Sequence, residues 1–277
     1  MSERPPIECM FLGEDRIETL PGYARGFAYG DGVFETMRVH RGTVPWWDVH
    51  HARLLNGLAR LHIPAPDAAT MQRAVAEVFD DGGDGVAKLI VSRGGIGRGY
   101  MPDLDAPPLW RVSRHELPPP PRQEGLVLRW CETRLALQPA LAGLKHCNRL
   151  EHVVARGEWT DPGIDEGLLR SIDGFVVCAT SANLFVLHGK RWATPRVDRC
   201  GIAGTCRAWL LSETGAAETR IDPRELETAD AIALCNAVRG ILPVARLEAR
   251  TWAPHPAVAD LRQRLARAHP AFAQEMA

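Results

Sequence analysis

The stretch EGLLRSIDGFVVCATSANLFVLHGKRWAT, residues 166–194, decides the fold class. It reads as successive strands, short apolar runs separated by turn residues, with Asp173-Gly174 and His188-Gly189-Lys190 as the turns. Strands joined by tight turns pair antiparallel, whereas a doubly wound sheet needs a helix between strands. Outward from this core, LVLRWCET (126–133) reads as a strand and NRLEHVVARGEW (148–159) as a helix. Helices near 204–212 and 257–268 bracket the strand pair ADAIALC (229–235) and ILPVARL (241–247). Upstream, ELPPPPR (116–122) is an extended linker, because proline fixes φ and removes backbone donors. Before it, FETMRVH and TVPWW read as strands around a turn at His40–Gly42. In DVHHARLLNGLARLHI (48–63), Val49, Leu54, Leu55, Leu58 and Leu61 fall near one helical face behind an Asp48 cap. A helix over 68–79 and strands over 86–92 and 109–113 complete an α+β chain with two domains, 1–115 and 123–277.

Composition narrows the function. With 33 basic against 34 acidic residues the net charge is -1, which argues against a protein built to grip nucleic acid or an acidic membrane. No apolar run is long enough to span a membrane, and MSERPPIECM lacks the pattern of a secretory leader, so a cytoplasmic protein is expected. The seven cysteines include no CxxC pair and the ten histidines no HExxH, so reduced thiols and no metal are expected.

Only three of the 33 basic residues are lysines. Lys190 sits in a hairpin turn and Lys88 begins the strand-like KLIVS, so both have structural explanations. Lys145, in PALAGLKHCNRLEHVV (139–154), lies where an apolar run meets a helix. An amine buried there would be held uncharged, as a Schiff-base lysine requires; an ordinary surface lysine is the other reading. The loop SRGGIGRGY (92–100) follows a strand, but MPDLDAPP comes next and cannot open the helix a dinucleotide loop needs. It is either a ligand-approach loop carrying Arg93 and Arg98 or a solvated one.

Six segments bear on this choice in one order: GFAYGDGVFETMRV (26–39), HHARL (50–54), SRGGIGRGY, GLKHCNRLEHV (143–153), ATSANLF (179–185) and TPRVDRCGIAGTCR (194–207). Together they resemble the fold-type IV pyridoxal-phosphate enzymes, which include branched-chain and D-amino-acid aminotransferases and aminodeoxychorismate lyases. SRGGIGRGY with KHCNRLE is most similar to the lyase branch. The resemblance implies a two-domain α+β fold with mixed and antiparallel sheets and flanking helices, pyridoxal 5'-phosphate as cofactor, and a homodimer. It implies an elimination giving 4-aminobenzoate and pyruvate, with transamination as the alternative. Lys145 then matches the Schiff-base lysine and general base, and Arg53 the arginine on the cofactor phosphate; without the resemblance, Arg53 reads as a surface charge on an amphipathic helix. Thr205 and Cys206 match backbone donors to that phosphate, with Asn236 and Ala237 in a second loop beside it. Thr36 matches a catalytic pocket position, and Phe34, Arg93, Arg98 and Arg149 match substrate-side positions. One departure stands out. Cys178 occupies the position, five before Asn183, where the group carries the glutamate that pairs with the pyridine nitrogen.

Overall fold

The computed structural model describes residues 7–95 and 99–276. The chain divides into two compact units, Met1–Leu117 with Lys145–Asn148, and Pro118–Leu144 with Arg149–Ala277. Lys145 therefore belongs to the first unit although it follows the proline-rich linker in sequence.

The first unit contains β1 (Glu8–Leu12), β2 (Asp15–Ile17), α1 (Arg25–Tyr29), β3 (Gly32–Val39), α2 (Trp47–Arg60), α3 (Ala68–Val78), β4 (Gly85–Arg93) and β5 (Pro108–His115). Its sheet runs β2-β1-β5-β4-β3, antiparallel throughout. Side chains alternate across a pleated sheet. Val33, Met37 and Val39 of β3 thus join Ala87, Leu89 and Val91 of β4 in a core closed by Leu54 and Leu58 of α2 and Met71, Val75 and Val78 of α3. Phe34, Thr36 and Arg38 occupy the other face. TVPWW is not a strand: only an isolated bridge joins His40 to Thr43, and Trp47 already opens α2. Asp48 lies in the first turn of α2 rather than capping it, Trp46 being the N-cap. Val49 and Leu55 are 42% and 37% exposed, so the buried stripe is narrower than the apolar pattern.

The second unit contains β6 (Leu126–Leu135), α4 (Leu150–Arg156), β7 (Glu166–Ser171), β8 (Val176–Ala179), β9 (Asn183–His188), β10 (Arg191–Pro195), α5 (Thr205–Thr214), β11 (Ala217–Thr219), α6 (Pro223–Glu227), β12 (Ala231–Asn236), β13 (Gly240–Leu247), β14 (Arg250–Thr251) and α7 (Pro256–Ala268). The strand order is β11-β10-β9-β12-β13-β6-β7-β8, with β14 on β13. The hairpins expected in residues 166–194 form, and Gly174 takes φ +91 in the first turn. Three pairs are parallel, β10/β11, β13/β6 and β6/β7, so the sheet is mixed. Among the described residues no helix is long and apolar enough to cross a membrane.

Candidate active site

The register of β3 builds the first unit's part of the site. Phe34 N–H donates to the Lys145 carbonyl at 2.9 Å, and Cys147 N–H to the Gly32 carbonyl at 2.9 Å. Asn148 Nδ2 donates to the Gly30 carbonyl at 3.0 Å. Residues 145–148 are thereby stitched to the start of β3 through bonds that depend little on the side chain at 145. Lys145 Nζ lies 4.2 Å from the centroid of the Phe34 ring. Thr36 follows two residues on, on the same face of the strand as Phe34.

Arg53 approaches the opposite face. Glu35 points into the helix-covered core, 1% exposed, and is met there by His50 and Arg53 of α2. Arg53 Nε donates to Glu35 Oε1 at 2.8 Å and its Nη2 to Oε2, a bidentate grip that fixes the guanidinium plane. His50 Nδ1 lies 2.6 Å from Glu35 Oε2 and is the donor, since the carboxylate is ionised. Burial pushes the Glu35 carboxyl up, but the Arg53 charge and the hydrogen bonds from His50 and Arg53 outweigh it and hold it at about 2. Burial draws His50 below the usual imidazole range, against the pull of Glu35. Arg53 is thus a held cation rather than a solvated surface charge. The sequence does carry a signal for this cluster: an acid at 35 interrupts the apolar face Val33, Met37, Val39, and His50 and Arg53 stand at helical i,i+3 spacing.

Arg93 has another employment. It is 3% exposed, its Nε donates to Asp31 at 3.0 Å, and its Nη1 and Nη2 donate to the carbonyls of His62 and Leu61 at 2.6 and 2.5 Å. It closes the C-terminal end of α2, which takes it away from the substrate role expected from the sequence. Arg98 lies outside the described residues.

In the second unit, Gly204 is the N-cap of α5, and Thr205 and Cys206 form its first turn. Thr205 Oγ1 is buried with no hydrogen-bond partner. A Cβ at Gly204 would stand 2.1 Å from Asn183 Oδ1, so only glycine lets this turn approach Asn183, whose Nδ2 donates to the Ile202 carbonyl at 2.9 Å. Cys206 is fully buried, and burial together with the neighbouring Cys235 at the end of β12 pushes its thiol well above the usual range. There Asn236 Oδ1 accepts the N–H groups of Val238 and Arg239 at 3.0 and 2.8 Å, shaping the loop that contains Ala237. A helix N-terminus with unpaired N–H groups, an orphaned buried hydroxyl and an obligatory glycine together suit a phosphate. Gly204→Ala is expected to break the Asn183 contact and cost about 1–3 kcal/mol in urea unfolding; unchanged stability would show that the turn has room.

The position expected to meet a pyridine nitrogen does not suit one. Cys178 is 5% exposed on β8, packed with Leu169, Val177 and Cys200, and burial pushes its thiol up to about 12. It stays neutral at any working pH. Glu166, which no sequence motif marks, is buried nearby in the fold at the start of β7. It accepts the N–H groups of Gly167, Thr180 and Ser181 at 2.9, 3.2 and 3.2 Å, and both hydroxyls of Thr180 and Ser181. Its charge is spent on the loop leading into Asn183. A cavity of about 450 Å³ opens beside that loop, lined by Glu166, Ser181, Arg149 and Arg239 over an apolar floor that includes Leu126 and Leu242. Arg149 is held at its rim, Nη2 donating to the Leu144 carbonyl at 2.5 Å.

Residues 32–247 match the amino-transferase class IV family. The chain is 33% identical to the aminodeoxychorismate lyase of Vibrio harveyi, over 81% of this chain and 86% of that protein. It is similar to the crystal structure of 4-amino-4-deoxychorismate lyase from Pseudomonas aeruginosa, with TM-score 0.86 and 39% identity over 93% of this chain and 98% of that one. A D-alanine aminotransferase from Bacillus licheniformis is 25% identical, over 82% of each chain.

Proposed function

The chain belongs to the amino-transferase class IV family, and on that premise we propose that it is a pyridoxal-phosphate-dependent lyase converting 4-amino-4-deoxychorismate to 4-aminobenzoate and pyruvate. The observation that carries the reading is Lys145, fixed by its own backbone to β3 with its amine over Phe34. The cofactor, when bound, supplies an electron-withdrawing ring that acidifies the carbon bearing the substrate amine. The resemblance makes Arg53 one candidate ligand of its phosphate and the N–H groups of Thr205 and Cys206 another, with Asn236 and Ala237 in the loop next to that turn. Lys145 Nζ would hold the cofactor, and as a free amine it would take the proton from the amine-bearing carbon of the substrate. Lys145, or Thr36 as a relay, returns a proton to the departing enolpyruvyl group, and the ring left behind becomes aromatic. Arg149 and Arg98 supply positive charge for substrate carboxylates.

Cys178 favours this reading over transamination. A neutral thiol cannot keep a pyridine nitrogen protonated, so the ring withdraws electrons less strongly. Transfer of an amino group depends on that withdrawal throughout, whereas the elimination gains its driving force from aromaticity. The reading also carries a homodimer and a cytoplasmic setting, which seven free thiols suit. The test is to mix cofactor-loaded protein with aminodeoxychorismate, without an amino acceptor, and follow both products. Equal release of 4-aminobenzoate and pyruvate is expected. No release, together with rapid conversion of the cofactor to its amine form by D-alanine or leucine, would replace the lyase by an aminotransferase.

A further inference from the structure

The cavity of the second unit is only partly accounted for by the cofactor and substrate residues. Of those named above, Arg149 alone lines the space of about 450 Å³ beside the loop at Ser181. Arg149, Val153 and Arg156 stand at i, i+4 and i+7, so one face of α4 makes a wall. Leu234 and Leu242, register partners on β12 and β13, make the floor and belong to the unit's apolar core. Arg239, from the turn that joins these two strands, completes the lining. Two acids face the same space, and both are engaged elsewhere. Asp165 accepts the Val127 N–H at 2.8 Å and meets Arg122 at 3.2 Å, and Glu166 is taken by Thr180 and Ser181.

The two outer arginines are positioned but not neutralised. Arg156 lies 4.5 Å from the centroid of the Trp159 ring and donates Nη1 to the Trp159 carbonyl at 3.1 Å, which fixes the guanidinium plane. Arg156 is exposed, so the other face of that plane is open to a second ring. Arg239 donates Nη2 to the Pro119 carbonyl at 3.2 Å, while its Nε is buried with no hydrogen-bond partner. Among the described residues no carboxylate pairs with either side chain. A buried donor left unsatisfied beside an apolar space needs an acceptor from outside the chain. We propose that this cavity is a second ligand site, which takes a compact aromatic carboxylate. Its ring rests on Leu234 and Leu242 against the Arg156 plane, and its carboxylate meets the Arg239 guanidinium. The volume falls in the range of small-molecule pockets and admits two fused rings. A small inorganic anion would gain nothing from the leucine floor. The inference is independent of the lyase reading.

The probes are 2-naphthoate and its neutral isostere 2-naphthamide, titrated by calorimetry into the cofactor-loaded protein. Wild-type protein is expected to prefer the acid by about tenfold or more, the range of a charge-assisted hydrogen bond. Arg239→Gln is expected to bring that ratio close to one, with the amide affinity and the cofactor's absorbance unchanged. Val153→Trp, at an exposed position of the wall, fills the cavity from outside the core and is expected to weaken both probes by about tenfold or more at an unchanged unfolding temperature. Wild-type protein that binds neither probe or does not discriminate them overturns the inference. So does an Arg239→Gln protein that keeps the wild-type ratio, which would place the acid elsewhere, or a Val153→Trp protein that binds both probes as before. Pyruvate release is a separate readout: its absence in wild-type protein would remove the lyase reading and leave this site standing.

Discussion

Lys145→Ala is expected to abolish pyruvate release, by about 10⁴-fold or more, and to eliminate covalent attachment of the cofactor. On the proposed reading one side chain is both anchor and proton acceptor, so its removal takes away two functions at once. Its loss should scarcely affect folding. The bonds that hold residues 145–148 to β3 come from Phe34 N–H, Cys147 N–H and the Asn148 amide, and they survive truncation of the Lys145 side chain. Borohydride reduction followed by peptide mass analysis checks the anchor. The wild-type peptide containing Lys145 should gain the reduced cofactor, and the alanine variant should gain nothing. A variant that unfolds at the wild-type temperature yet releases no pyruvate would isolate the chemical role. Pyruvate release at the wild-type rate would remove Lys145 from the mechanism.

Glu35→Gln is expected to produce the second large effect, on stability and cofactor affinity together. The substitution leaves the Arg53 guanidinium facing a neutral amide in the core. Breaking a buried pair from one side typically costs about 3–5 kcal/mol, far more than the pair contributes over an apolar replacement. The pH dependence separates this from a packing defect. The folded-state carboxyl is depressed from 4.5 to about 2, so its contribution is fully present above pH 4.5 and is lost as the pH falls toward 2. That shift corresponds to about 3 kcal/mol. Urea unfolding of the two proteins should therefore differ by roughly that amount at pH 7, and the curves should converge toward pH 2. A gap that persists unchanged at low pH would show that the lost stability is steric. Cofactor titration should show weaker binding of pyridoxal phosphate by the variant with little change for pyridoxal, because the Arg53 plane is set by Glu35.

Much of the fold is legible in the amino-acid order. The hairpins of residues 166–194, the amphipathic helices at 47–60 and 68–78 and the helix after Lys145 follow from local patterns, since each depends on neighbours within a turn or two. The segments that depart from expectation are short or lack such patterns. TVPWW has strand-forming residues but no partner strand, and Asp48 is already inside the first turn rather than at the cap because α2 begins a residue earlier. The parallel pairs β13/β6 and β6/β7 join residues far apart in the chain, and no local period encodes them.

The candidate site divides in the same way. Lys145, Arg53 and the turn at Gly204–Cys206 stand out in the sequence because each lies in a contiguous motif. Arg93 lies in such a motif as well, but all three of its side-chain nitrogens donate to Asp31 and the end of α2, a matter of space rather than of sequence. Glu35 is inconspicuous for the converse reason. It sits in an ordinary strand, and only the packing of α2 gives it a role. The sequence by itself determined which elements form and which residues carry unusual chemistry, because propensity, turn geometry and motif spacing act within a few residues. Tertiary structure decided which charges meet, since an ion pair or a shared ring depends on strand register and helix placement, and these come from packing across the whole unit.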